Sequence, residues 1–237
     1  MKSLGTLYLL PVGLGECNLE DVLPKRNVDL IKTLTHFIAE NAKDARAFLK
    51  QCGIPDISKA EISLINQHAK EEELNSFLYP LVTGQDMGLM SDAGCPGIAD
   101  PGASIIKRAH QKGIKVVPLV GPSSIVLSIM ASGFNGQNFA FTGYLPINSN
   151  ERCKRIKELE TLCVKLKQAQ FFIETPYRNS SVFNDLIKTL QPGTQLLVAT
   201  HITLPEESIT VKTIAAWKKT GEPDFIKKPT VFGIYST

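Results

Sequence analysis

No stretch of this 237-residue chain approaches the run of about 18 apolar residues that a membrane-spanning helix requires. None of its five cysteines, Cys17, Cys52, Cys95, Cys153 and Cys163, stands in C-x-x-C spacing with another, and their number is odd. Neither a disulfide framework nor a zinc site is indicated, no metal is expected, and the thiols are read as reduced. No Gly-Lys-Ser/Thr follows a glycine loop, and "GLGE" (13–16) is not G-x-G-x-x-G. Neither the Walker nor the Rossmann fingerprint is therefore met. Internal repeats and low-complexity tracts are missing too. The apolar stretch of the opening "MKSLGTLYLLPVGLGE" is too short, and too broken by glycine and proline, for an export signal. It reads as a strand and its loop, and a cytoplasmic protein without a membrane partner is expected.

What is present is ordinary in amount and unusual in placement. The chain is 43% hydrophobic and 21% charged, the balance of a soluble globule. Its net charge of +3 permits an RNA partner without demanding one. Basic clusters at "KRIK" (154–157), "KLK" (165–167), "WKK" (217–219) and "KK" (227–228) read as solvated faces.

Short apolar runs alternate with helix-like segments. Strands are predicted at 6–11, 86–92, 114–121, 138–146, 169–176, 194–203 and 228–236, with a further apolar run at "HFIAE" (36–40). Helices are predicted over 42–53, 69–84, 102–113, 122–133, 149–168, 179–193 and 211–221. The alternation means α/β layers with mostly parallel sheets. Proline- and glycine-rich stretches near the middle divide the chain into two α/β domains, 1–121 and 122–237.

Three punctuated turns each follow a predicted strand: "PVGLGE" (11–16), "SDAGCPGIADPG" (91–102) and "VGPSS" (120–124). Loops at the carboxyl ends of strands line the binding crevice of an open α/β sheet. Gly13, Gly15, Gly94 and Gly97 permit positive φ and close approach of a flat ligand to the main chain. Asp92 offers an acceptor for ribose hydroxyls or an amino group. Ser123 and Ser124, at a helix start, suit an anion or carboxylate. Three such loops together point to a nucleotide-like ligand.

The ordered set "GTLYLLPVGLGE", "FIAENAKDARAFLKQCGI", "LMSDAGCPGIADPG", "GIKVVPLVGPSS", "FTGYLP" and "FIETPYR" resembles the tetrapyrrole methylase superfamily, the two-domain S-adenosylmethionine methyltransferases. It is most similar to the branch that methylates a cytidine ribose 2′-hydroxyl in small-subunit ribosomal RNA. The resemblance implies a homodimer, a ribosomal RNA or small-subunit substrate, and S-adenosylmethionine in a cleft between the domains. It assigns to that cofactor Pro11, Gly13, Gly15, Ser91, Asp92, Ala93, Gly94, Ile98, Ser123 and Ser124, with Tyr144, Leu145, Pro146, Pro176, Pro229 and Thr230 from the second domain.

The acceptor-side motifs depart from the branch. Glu-Asp-Thr-Arg is "ENAK" here, putting Asn41 and Lys43 at its second and fourth places; a His-rich patch is reduced to His68; an Arg-Glu pair becomes Thr200-His201. Candidates for removing a hydroxyl proton are Glu40, His36, His68, His201 and Glu206, with Glu40 first. Lys43 and Arg46, three apart on one helical face, and the Arg178 fork suit an RNA phosphate. Cys95 has no evident base partner and is read as packing. Alternatives are a tetrapyrrole or other small acceptor, or a catalytically idle module that binds the cofactor or RNA.

Overall fold

The computed structural model describes residues 3–66, 71–225 and 227–236. The chain forms two compact units, Met1–Ser123 and Ser124–Thr237. In chain order the first contains β1 (Thr6–Leu9), α1 (Leu19–Val22), α2 (Lys25–Ile31), β2 (His36–Ala39), α3 (Ala42–Gln51), β3 (Glu61–Leu64), α4 (Glu71–Phe77), α5 (Tyr79–Val82), β4 (Met87–Leu89), α6 (Gly102–Gln111) and β5 (Lys115–Pro118). The second contains α7 (Ser124–Ser132), β6 (Phe139–Tyr144), α8 (Ser149–Leu166), β7 (Ala169–Glu174), α9 (Asn179–Thr189), β8 (Gln195–Thr200), β9 (Ser208–Thr213), α10 (Ile214–Thr220) and β10 (Thr230–Tyr235).

The first sheet has the order β3-β2-β4-β1-β5, and every pairing is parallel. Its central strands β2 and β4 are apolar on both sides, as burial of both faces requires. Along β2, Phe37 and Ala39 join one core cluster with Leu10, Phe48 and Leu49, while Ile38 joins the opposite cluster with Leu7, Leu89 and Ile105. α3 supplies the first cluster through Ala45, Phe48 and Leu49, spaced at helical period. Its N-cap is Asn41, whose Oδ1 accepts from Lys43 N at 2.8 Å and Asp44 N at 3.4 Å. Asparagine and aspartate cap about equally well, so the place at which the branch has Asp carries a residue that does the same local work.

The second sheet has the order β6-β7-β10-β8-β9. Only β6–β7 is parallel; β7–β10, β10–β8 and β8–β9 are antiparallel. The parallel expectation thus holds throughout the first sheet and at one pairing of the second. The long crossover through α8 makes the parallel pair, whereas the short loop before β9 allows only a hairpin-like return. β9 lies where the sequence suggested the start of a helix. α10 therefore begins at Ile214, capped by Thr213 Oγ1 accepting from Ala216 N. The core of this unit includes Phe172, Phe183, Trp217, Phe225 and Phe232.

Candidate functional site

The parallel order explains how three loops distant in sequence meet. β1 is flanked by β4 and β5, so the carboxyl ends of these strands lie side by side. Ladder bonds run past the strand ends: Leu10 N donates to Leu89 O (2.8 Å) and Leu119 N to Leu9 O (3.1 Å). Beyond them, Val12 N donates to Gly94 O at 2.9 Å, joining the first loop to the second. Gly121 abuts Pro11 so closely that a Cβ on it would lie 2.2 Å from the Pro11 Cβ, joining the third loop to the first. Cys95 Sγ donates to Pro122 O at 3.4 Å, joining the second to the third. That thiol is a packing group whose pKa burial raises.

The central loop is organised by Asp100. Its carboxylate accepts from Gly97 N at 2.8 and 2.9 Å and from Gly102 N at 2.7 Å. Burial raises its pKa, against the lowering effect of these amides and that of Ile98. The backbone around it is left-handed at Gly94 (φ 74°), Gly97 (φ 86°) and Ala99 (φ 63°). Gly13 owes its identity to close approach: a Cβ there would lie 2.9 Å from Cys17 Sγ and 3.1 Å from Gly15 O. Ser91 is buried and its hydroxyl donates to Ala93 O at 3.1 Å. Gly15, Asp92, Ala93 and Ile98 are exposed.

β2 lies on the other side of β4, so Glu40 comes to the same end of the sheet. Its carboxylate accepts from the Asp92 backbone N–H. Burial raises its pKa, and Asp92 and Asp100 raise it further. Asp92 is raised likewise, by burial and then by Asp44 and Asp100. Lys43 and Arg46 are exposed on α3 nearby in sequence. His36 starts β2, at the opposite end of the strand from Glu40, where its Nδ1 lies 3.3 Å from Glu61 Oε2. It belongs to no loop cluster. His68 falls outside the described residues.

In the second unit, Glu174, Thr230, Thr200 and Ser208 are successive partners across one end of the sheet. Arg178 is engaged within its own unit. Its Nη2 lies 3.1 Å from Glu174 Oε2 and donates to Leu145 O (3.3 Å) and Pro146 O (3.1 Å). Arg152 holds the same loop through Pro146 O (3.1 Å) and Ile147 O (2.8 Å), backed by Asp185 at 2.6 Å. The Leu145 side chain is part of the core, and the Thr230 hydroxyl is already used, accepting from Asn179 Nδ2 and donating to Lys228 O, both at 2.9 Å. Tyr144 is 53% exposed, Pro176 opens a 3-10 turn, and Pro229 O accepts from His201 N. Ser123 closes the first unit and Ser124 opens α7.

Asp100, Arg152 and Asn179 were not singled out from the sequence for these roles. The Asp-Pro-Gly turn is a local signal for Asp100; the Asp185 partner of Arg152 and all the partners of Asn179 are remote in the chain and leave none. Among the described residues no helix is long and apolar enough to cross a membrane, and no group of three His, Cys, Asp or Glu is arranged to hold a metal.

No family model matches the chain. It is 28% identical over 224 residues to ribosomal RNA small subunit methyltransferase I of Escherichia coli O157:H7, covering 93% of this chain and 74% of that protein. It is 34% identical over 189 residues to the protein of the same name from Bacillus subtilis, covering 80% of this chain and 61% of that protein. Among solved structures, the methyltransferase CobJ superposes with a TM-score of 0.65 at 18% identity, covering 98% of this chain and 95% of that one. Cobalt precorrin-4 methyltransferase CbiF superposes with a TM-score of 0.62 at 15% identity, covering 97% and 94%.

Proposed function

We propose that this chain, a member of the tetrapyrrole methylase superfamily of methyltransferases, transfers the methyl of S-adenosylmethionine to a cytidine ribose 2′-hydroxyl in small-subunit ribosomal RNA. The observation that carries the reading is the meeting of the loops after β1, β4 and β5 at one end of a parallel sheet. That end presents main chain and carboxylates rather than a lysine-bearing phosphate loop. Carboxylates suit a ligand that bears a sulfonium and an ammonium. The main chain at Gly13, Asp92–Gly94 and Ile98 is bare enough to meet a nucleoside. Pro11, Gly15, Ser91 and Ser123 complete this assignment in the first unit, and Ser124, the first residue of α7, belongs to the assignment as well. Tyr144, Leu145, Pro146, Pro176, Pro229 and Thr230 are carried by the resemblance; for Leu145 and Thr230 the contact would be through main chain, because their side chains are already engaged.

When bound, the cofactor supplies an electrophilic methyl and a neutral thioether leaving group. The chain's own task is alignment, worth roughly 7–11 kcal/mol in well-oriented reactions. In this reading Glu40 accepts a hydrogen bond from the acceptor hydroxyl, and Lys43 with Arg46 holds a neighbouring phosphate. A homodimer is part of the proposal, and a ribosomal substrate places the reaction in the cytoplasm. A second reading, a tetrapyrrole or other small acceptor, draws support from the solved methyltransferases of like fold. An idle cofactor- or RNA-binding module draws support from the departures at Asn41, Lys43, Thr200 and His201.

Calorimetric titration with S-adenosylmethionine, followed by transfer of labelled methyl to small subunits, bare RNA and uroporphyrinogen, separates these readings. Binding in the micromolar range and label confined to RNA are expected. Label on the macrocycle alone, or binding without label, overturns the RNA assignment. Gly94→Val adds a branched side chain at φ 74°, with its Cβ about 3.3 Å from Leu14 Cδ2. It is expected to weaken cofactor binding about tenfold or more, near 1.4 kcal/mol. Unchanged affinity in a folded variant would remove the central loop from the cofactor's contacts.

A further inference from the structure

α8 buries Arg152, Ile156, Leu159 and Cys163 along one side. At about 100° per residue, Lys154, Lys157 and Lys165 fall on the opposite side, within about 80° of one another and over roughly 16 Å of helix. All three are exposed. Helical spacing offers the first two a carboxylate each: Glu158 stands four residues after Lys154, and Glu160 three after Lys157. Neither is turned to its lysine. Glu158 Oε2 pairs with Arg155 Nη1 at 3.1 Å, and Glu160 Oε1 accepts from Gln191 N at 2.8 Å and from Thr194 Oγ1. Glu151 lies in the first turn, where the helix N-terminus stabilises a negative charge. Lys165 lies in the last turn, where a cation is favoured; Lys154 and Lys157 lie outside both end turns and gain nothing from the helix dipole. Among the described residues none of the three lysines is ion-paired. Elsewhere in the second unit Glu174 is held by Arg178, Asp185 by Arg152 and Asp224 by Lys228. Ser124–Thr237 carries thirteen Lys and Arg against nine Asp and Glu, and the first unit thirteen against fourteen, so the positive excess belongs to the second unit.

We propose that Lys154, Lys157 and Lys165 form a phosphate-binding face that docks RNA through its sugar-phosphate backbone; this rests on the RNA reading above. The face lies wholly on one helix and needs no residue of the first unit. Three like charges in a row repel one another, and an anionic strand removes that repulsion. The carboxylates of an acidic protein are scattered, whereas a nucleic-acid strand carries a phosphate every few ångströms and matches a straight row of ammonium groups. Lysines act on phosphate as point charges on flexible stems. The face therefore positions the RNA without reading its bases, and binding through it releases counterions and weakens with salt. The sequence alone makes "KRIK" (154–157) and "KLK" (165–167) solvated clusters, because Glu158 and Glu160 stand in neutralising register; the fold directs both carboxylates elsewhere.

Fluorescence anisotropy of end-labelled, bare small-subunit ribosomal RNA, titrated with the full chain over a range of salt and without cofactor, tests the face directly. The combined variant Lys154→Gln, Lys157→Gln and Lys165→Gln is expected to lower the slope of log affinity against log salt by about 2–3. Its melting temperature and its calorimetric affinity for S-adenosylmethionine are expected to stay at the wild-type values. Lys154→Arg, Lys157→Arg and Lys165→Arg together are expected to keep the wild-type slope. So is a control that removes three exposed lysines of the first unit, Lys107→Gln, Lys112→Gln and Lys115→Gln. A wild-type slope in the α8 glutamine variant, an equal loss in the control, or a loss in the arginine variant overturns the proposal. So does a wild type that binds phosphatidylserine vesicles and not RNA. Failure of the methyl-transfer reading looks different: the wild type then binds RNA through α8 and labels none of it. An α8 glutamine variant that keeps both slope and labelling overturns the face and leaves that reading standing.

Discussion

At the scale of single residues, the central loop takes its shape from one carboxylate and three left-handed positions. Two of those positions are glycine, and the third is Ala99 at φ 63°. Left-handed backbone costs a residue with a Cβ about 1–2 kcal/mol. A glycine there would lose about 0.4–1 kcal/mol through greater freedom of the unfolded chain. Ala99→Gly is therefore expected to leave stability level or raise it by up to about 1.6 kcal/mol, read as the urea midpoint at constant slope. A clear loss would mean that the methyl makes a contact outweighing the strain. Sequence reading found the glycines and their placement. It read Asp100 only as part of a helix opening, because the three amides that it accepts from become visible only once the turn is closed.

At the scale of elements, acid groups gather where parallel strands end. Glu40, Asp92 and Asp100 all have raised pKa values, with burial first among the causes. Between the ordinary carboxylate value near 4 and the raised values, the folded state holds more protons than the unfolded state. Stability of the free protein should therefore fall as pH rises from about 4 through that window. Asp92→Asn should flatten this slope, read as melting temperature against pH; an unchanged slope would show that other groups set it. Elements were legible where they were long or buried on both faces. β3, with its exposed ends and half-buried middle, and β9, with the same pattern, lie at sheet edges. Both alternate apolar residues with polar ones, Glu61 and Ser63 in β3 and Ser208, Thr210 and Lys212 in β9, so neither shows a continuous apolar run. In β9 the helical spacing of α10 also runs back across the strand's last residues. Of the site, the loops after β1, β4 and β5 were legible because glycine and proline mark them. The partners of Arg178 Nη2, Glu174 and two carbonyls from another loop, were not legible because packing between loops sets them.

At the scale of the whole molecule, α7 is inverted relative to an ordinary surface helix. Its buried residues are Ser128 and Ser132, while Val126 is 51% and Met130 73% exposed. Apolar side chains facing outward on so apolar a helix fit a self-association face, in keeping with the proposed homodimer. Met130→Glu is expected to shift sedimentation from dimer to monomer with the melting transition retained; a wild type that sediments as a monomer would refute it. The Asp100 clamp has a consequence for the kinetics of encounter. An internal anion keeps the turn folded before any visitor arrives, so association should need no ordering step, and protease resistance across residues 91–102 should be the same in empty and saturated protein.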